Sequence, residues 1–176
     1  MSRISAITDV HDPRPMKAQA PFLYLREEEL TDGMELFFFA GRSMADAMDK
    51  RLAELSLGHA DYRAMHFVAR HPGMPVSDLL SILGITKQSL SRVVRGLTRG
   101  GYLVQSMGVS DRRQRLLRLT AKGQAVEGEL SALQRARFAK AYREAGPEAV
   151  AGFRQVLGGL LADTERAGVL RLIAKR

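Results

Sequence analysis

The chain has 176 residues, 45% of them hydrophobic and 26% charged, a balance that supports an ordinary globular core and argues against a largely disordered chain. It contains no cysteine, which excludes disulfides, thiolate nucleophiles and thiol-based redox sensing. The formal charge is +8; no apolar run approaches the roughly 18 residues of a membrane span, and the opening residues lack the apolar core of a secretory signal, so the sequence predicts a cytoplasmic protein without a membrane partner.

Residues 1–26 hold Pro13, Pro15 and Pro21 and show no periodicity, which reads as an N-terminal arm. Over 27–55 the series Leu30, Met34, Phe37, Gly41, Met44, Met48, Leu52, Leu55 alternates fours and threes almost throughout, placing one apolar seam along a long helix. Gly58 ends it. A second helix over 60–71 has apolar residues on two faces and stops at His71-Pro72-Gly73, because the residue before proline avoids the helical region and glycine permits the turn. Val76, Leu79, Leu80 and Leu83 then mark a short helix closed by Gly84. Leu90, Val93, Val94 and Leu97 repeat that spacing on another, with Thr86 as N-cap and Ile85 and Leu90 at the staple positions. Two short helices joined by a tight turn are the helix-turn-helix signature.

After Gly100-Gly101, residues 102–107 and 114–119 read as strands around a loop over 108–113, a candidate wing. Thr120 caps a long helix to about residue 145. Gly146-Pro147 interrupts, with Pro147 opening a last helix striped by Val150, Phe153, Leu157, Leu160 and Leu161, and 168–176 is expected to be a tail. The predicted fold is mainly α with a small β-hairpin wing: a winged helix-turn-helix head over 58–120, a helical dimerisation region over 27–57 and 121–176, and the arm over 1–26.

The charge is concentrated. Between Ile85 and Arg118 stand Lys87, Arg92, Arg95, Arg99, Arg112, Arg113, Arg115 and Arg118 against the single acid Asp111, the footprint of a surface that neutralises phosphates. Stepping 100° per residue from the apolar centre of the 86–99 helix leaves Gln88, Arg92, Arg95 and Arg99 on the opposite side, flanked by Ser89 and Ser91. Gln pairs with adenine edges and Arg with guanine edges in the major groove. The second helix of such a motif enters the groove by its start, so Lys87, Gln88, Ser89 and Arg92 rank as base readers and Arg95 and Arg99 as phosphate holders. Arg112, Arg113 and Arg115 at a hairpin tip suit the narrow minor groove. Asp111 is read as an internal partner for the Arg113 guanidinium.

The string Ile85-Thr86-Lys87-Gln88-Ser89-Leu90-Ser91-Arg92-Val93-Val94, then Gly101-Tyr102-Leu103-Val104, Asp111-Arg112-Arg113 and Leu119-Thr120-x-x-Gly123 resembles the MarR/SlyA family of regulators, over roughly 62–123. The resemblance implies a triangular homodimer joined by the first helix and the last two, two winged heads on pseudo-palindromic double-stranded DNA, residues 86–95 as the recognition helix, and Asp111 with Arg113 as the wing's Asp-x-Arg pair. The longer arm and the Gly108-Val109-Ser110 stretch depart from the family pattern. The residues agree on dimerisation, since a long first helix and a terminal stripe exceed what one small head can cover.

Many members of the resembled family take small aromatic acids, which here implies an effector site at Phe37, Phe38, Arg42, Tyr62 and His66 for a small aromatic or anionic effector. Phe and Met at helical spacing are far more often plain core than the walls of a ligand site. His59 and His66 lie two turns apart, about 10 Å, too far for one ion to bridge, so no metal or other cofactor is expected. No nucleophile motif or phosphate loop stands out, so no enzymatic activity is expected either. Two rivals stay open beside a sequence-specific transcriptional regulator: a non-specific architectural DNA-binding protein, which needs charge without base readers, and a winged-helix protein-interaction module, which needs an exposed apolar patch.

Overall fold

The computed structural model describes residues 23–109 and 111–174; the expected arm lies outside that range apart from residues 23–26, which include one 3-10 turn, Leu23–Leu25. The chain divides into two compact units between Arg42 and Ser43. The first contains the start of α1, Glu27–Glu54. Glu27, Glu28 and Glu29 sit in its first turn, where carboxylates meet the positive end of the helix dipole. Leu30, Met34, Leu36, Phe37, Phe38 and Phe39 along it are all exposed.

The second unit holds α2, His59–Arg70; β1, Met74–Pro75; α3, Val76–Leu83; α4, Lys87–Arg99; β2, Leu103–Met107; β3, Arg115–Leu119; α5, Ala121–Leu160; and α6, Asp163–Ala174. The strands form an antiparallel sheet in the order β1-β3-β2, with Met74 opposite Leu117 and Leu103 opposite Leu119. Met65, Val68, Leu79, Leu90, Leu97, Leu103, Leu117 and Leu130 are completely or almost completely buried, so α2, α3, α4, the sheet and the start of α5 share one core. The end of α1 joins it through Met48 and Leu52.

Each boundary has a local cause. The Asp61 carboxylate accepts the Gly58 N–H at 2.8 Å at the start of α2. The chain turns from α3 to α4 through a left-handed residue, Gly84, whose N–H bonds back to Leu80 O. In α5, Gly146 has φ 80° and ψ 169°, outside the helical region. Pro147 follows it, so the run is two helices meeting at a break, as the Gly-Pro pair predicts.

Two expectations are corrected. The sheet has a third strand, β1, which escapes sequence reading because two residues are too few to display alternation. The expected tail over 168–176 is instead largely helical, α6 running to Ala174. Asp163 and Glu165 in its first turn favour a helix start, and the Arg166 guanidinium donates to Gly159 O at 3.1 Å and Leu161 O at 3.3 Å, satisfying carbonyls at the end of α5.

Candidate nucleic-acid interface

Thr86 caps α4. Its backbone is extended and its hydroxyl oxygen accepts the Ser89 N–H at 3.1 Å, while the same hydroxyl lies 2.9 Å from Ser89 Oγ. Ser89, half-buried, is therefore partly committed to fixing the helix start. Leu90, Val94 and Leu97 are 1%, 5% and 0% exposed; with that face fixed in the core, Lys87, Gln88, Ser91, Arg92, Arg95 and Arg99 all remain exposed. Arg95 lies back along the helix, its Nε donating to Ser91 O at 3.2 Å.

The wing is the β2–β3 hairpin. Arg112, Arg113 and Arg115 are exposed on it. The expected Asp111 to Arg113 side-chain pair takes another form: the Asp111 carboxylate accepts the backbone N–H of Arg113 at 2.9 Å. Asp111 thus shapes the turn, and its carboxylate is used on the main chain because residues two apart in a tight turn bring N–H and side-chain oxygen together.

The base of the hairpin is tied to α5. Thr120 accepts the Gly123 N–H at 3.0 Å and donates its own hydroxyl to Gly101 O at 2.7 Å, and Lys122 reaches Gly100 O at 2.8 Å with its ammonium 4.2 Å from the Tyr102 ring centre. Gly123 approaches so closely that a Cβ there would stand 2.0 Å from Tyr102 O. The Leu119-Thr120-x-x-Gly123 motif is thus the joint between wing and helix.

Of the effector candidates, Phe37, Phe38 and Arg42 belong to the first unit, and the Arg42 guanidinium lies 4.9 Å from the centre of the Phe39 ring. Tyr62 and His66 belong to the second and are engaged by α5. Tyr62 Oη lies 3.0 Å from the buried Ser131 hydroxyl, and His66 Nδ1 lies 3.0 Å from Glu127 Oε1 and 3.3 Å from Ser131 Oγ. Ser131 donates to Glu127 in turn. Burial pushes the Glu127 carboxyl upward, but the bonds from His66 and Ser131 outweigh it and hold the group below the usual carboxylate range. Burial also raises the Tyr62 phenol. Sequence reading missed Glu127 and Ser131; the available signal was polar residues at i, i+4 on two facing helices, Tyr62 with His66 and Glu127 with Ser131. His59 pairs with Asp49 at 2.6 Å, and among the described residues no group of three or more His, Cys, Asp or Glu is placed to hold a metal. No described helix is long and apolar enough to cross a membrane.

Residues 55–114 match the sequence model of the MarR family. The HTH-type transcriptional regulator PetP of Rhodobacter capsulatus is 48% identical over 144 residues, covering 82% of this chain and 87% of that protein. Among solved structures, a MarR family transcriptional regulator from Silicibacter pomeroyi superposes with a TM-score of 0.64 at 24% identity, over 77% of this chain and 90% of that one. Wild-type MarR from E. coli in its apo form gives 0.56 at 17% identity, over 73% and 96%. At those identities the structures establish the shared fold alone.

Proposed function

The chain belongs to the MarR family of transcriptional regulators, and from that premise we propose that it is a homodimeric regulator that recognises a pseudo-palindromic duplex site by sequence. Residues 58–120 form the reading head in this proposal, with α4 in the major groove and the wing on the minor groove, and residues 27–57 and 121–176 join the two subunits. The observation that carries it is the division of α4: its apolar side is spent on the core while Lys87, Gln88, Ser91, Arg92, Arg95 and Arg99 face solvent. Lys87, Gln88 and Arg92 read base edges, Thr86 and Ser89 set the start of the helix against the backbone, and Ser91, Arg95 and Arg99 meet phosphates. Arg112, Arg113 and Arg115 serve the wing, with Asp111 shaping its turn.

The dimer rests on the apolar residues left uncovered on the helices. Phe138, Tyr142 and Phe153 form an edge-to-face series on α5, with centroids 5.6 and 6.3 Å apart, while Phe138 and Phe153 remain exposed. Phe37, Phe38 and Arg42 supply aromatic walls and a cation for a small anionic aromatic effector, with Tyr62 and His66 held instead in the network around Ser131.

Selection of bound fragments from random duplexes, followed by affinity measurement, tests the proposal. Gln88→Ala and Arg92→Ala are expected to relax preference at particular base pairs by about 1–3 kcal/mol each, whereas Arg113→Ala weakens binding to every sequence and lowers the salt slope. Equal losses on selected and random duplexes for all three variants would favour the architectural reading.

A further inference from the structure

The arginines of the wing account for attraction to phosphates, but they leave its apolar tip without a role. Gln105 pairs with Leu117 and Met107 with Arg115 across the hairpin. Leu117 is completely buried, so the face that carries it leaves the core one pair later, where Met107 and Arg115 project together and are both exposed. Val109 follows in the turn with its surface fully open to solvent, 101% exposed. A β-branched apolar residue does nothing for such a turn, where Gly, Asn, Asp and Ser supply the useful chemistry.

The turn that presents Val109 is closely tied. The Gly108 N–H donates to Gln114 O and the Gln114 N–H to Asp111 O, each at 3.0 Å, and Asp111 also accepts the Arg113 N–H. A Cβ on Gly108 would come within 2.6 Å of Asp111 O, so this path of the chain requires glycine at that position. The result is an exposed apolar side chain at the start of a hydrogen-bonded turn that also carries the cations Arg112, Arg113 and Arg115.

Resting on the DNA-reading proposed above, we infer that Val109, with Met107 also exposed at the adjoining end of β2, is a specificity-determining residue that seats against the deoxyribose walls of a narrow, A·T-rich minor groove. The walls of that groove are sugar C–H surfaces. A narrow groove brings both against a branched side chain, whereas a wide one leaves part of it in water. The neighbouring arginines fix the depth of insertion by meeting the phosphates on either rim. Because an apolar contact releases no counterions, its contribution is independent of salt, unlike theirs.

The test uses the full-length protein and the tightest duplex recovered from random-sequence selection, remade in two forms that differ only beneath the wing: an A-tract, or alternating G·C. Affinities of wild type, Val109→Ser, Val109→Leu and Arg113→Ala are measured across a salt series. Val109→Ser is expected to bind the A-tract form about three- to tenfold more weakly at every salt concentration, with the wild-type slope, and to lose most of the preference between the two duplexes. Val109→Leu retains that preference, Arg113→Ala flattens the slope, and the melting temperature of Val109→Ser stays at the wild-type value. Wild-type binding by Val109→Ser on both duplexes, or an altered slope for that variant, overturns this inference alone. A wild-type protein that enriches no duplex overturns the DNA-reading and this inference together.

Discussion

The buried core and the exposed helical faces of this chain differ in what they can do alone. Every fully buried apolar side chain among the described residues falls between Met48 and Leu130, so the winged head, together with the end of α1 and the start of α5, closes its interior within one chain. Outside that stretch Phe37, Phe38, Phe138, Phe153, Val156, Leu160, Leu170 and Ile173 stay exposed on well-formed helices. Helix formation therefore does not require that a helix find its apolar partner within one chain. The head is stabilised by packing that the monomer completes, and the helical faces by packing that the proposed dimer would complete.

The largest effect is expected where the core is opened. Leu97→Ala removes a completely buried side chain shared by the helices and sheet of the head and is expected to cost about 2–5 kcal/mol, read as a lower midpoint in denaturant unfolding. Gly123→Ala strikes the joint between wing and α5, where the new methyl would overlap Tyr102 O. About 1–3 kcal/mol of destabilisation is expected from forcing the two segments apart, again by denaturant unfolding, and an unchanged midpoint would mean that the joint yields easily. Phe37→Asp and Phe153→Asp act on the exposed helical faces. Each should shift the subunit equilibrium toward monomer by about tenfold or more in sedimentation, because a charge would be buried in the interface, while the helical content of the monomer is retained. Loss of folding at low concentration with no change in association would instead assign these faces to the fold of the single chain.

The smallest effect is expected at the α2–α5 contact. The folded chain holds Glu127 below its unfolded value of about 4.3, so this group contributes stability that is fully present above that pH and is lost as pH falls through the folded value. Glu127→Gln should flatten the acid limb of the stability profile relative to wild type. Parallel profiles below neutrality would show that the His66 and Ser131 bonds do not favour the ionised carboxylate.

Much of the reading head was legible in the sequence because its signals are local. The Leu90, Val93, Val94, Leu97 spacing and the Thr86 cap locate α4, and they also settle which residues of that helix face solvent. Strand β1 was not legible, since its two residues owe their conformation to pairing with Leu116 and Leu117 some forty positions later. The partner of Asp111 was misread for a similar reason: residue spacing permits both a guanidinium and a main-chain N–H, and only the folded turn selects the latter.

Periodicity, capping residues and the clustering of cations thus determined the order of the elements, the outward face of α4 and the electrostatic character of the head, because each depends on neighbours within a few positions. Tertiary structure decided which polar groups are consumed internally, as with Tyr62 and His66 on Ser131 and Glu127, and how tightly the wing is fastened at Gly123. Those outcomes depend on atoms that lie far apart along the chain and meet only once it has folded.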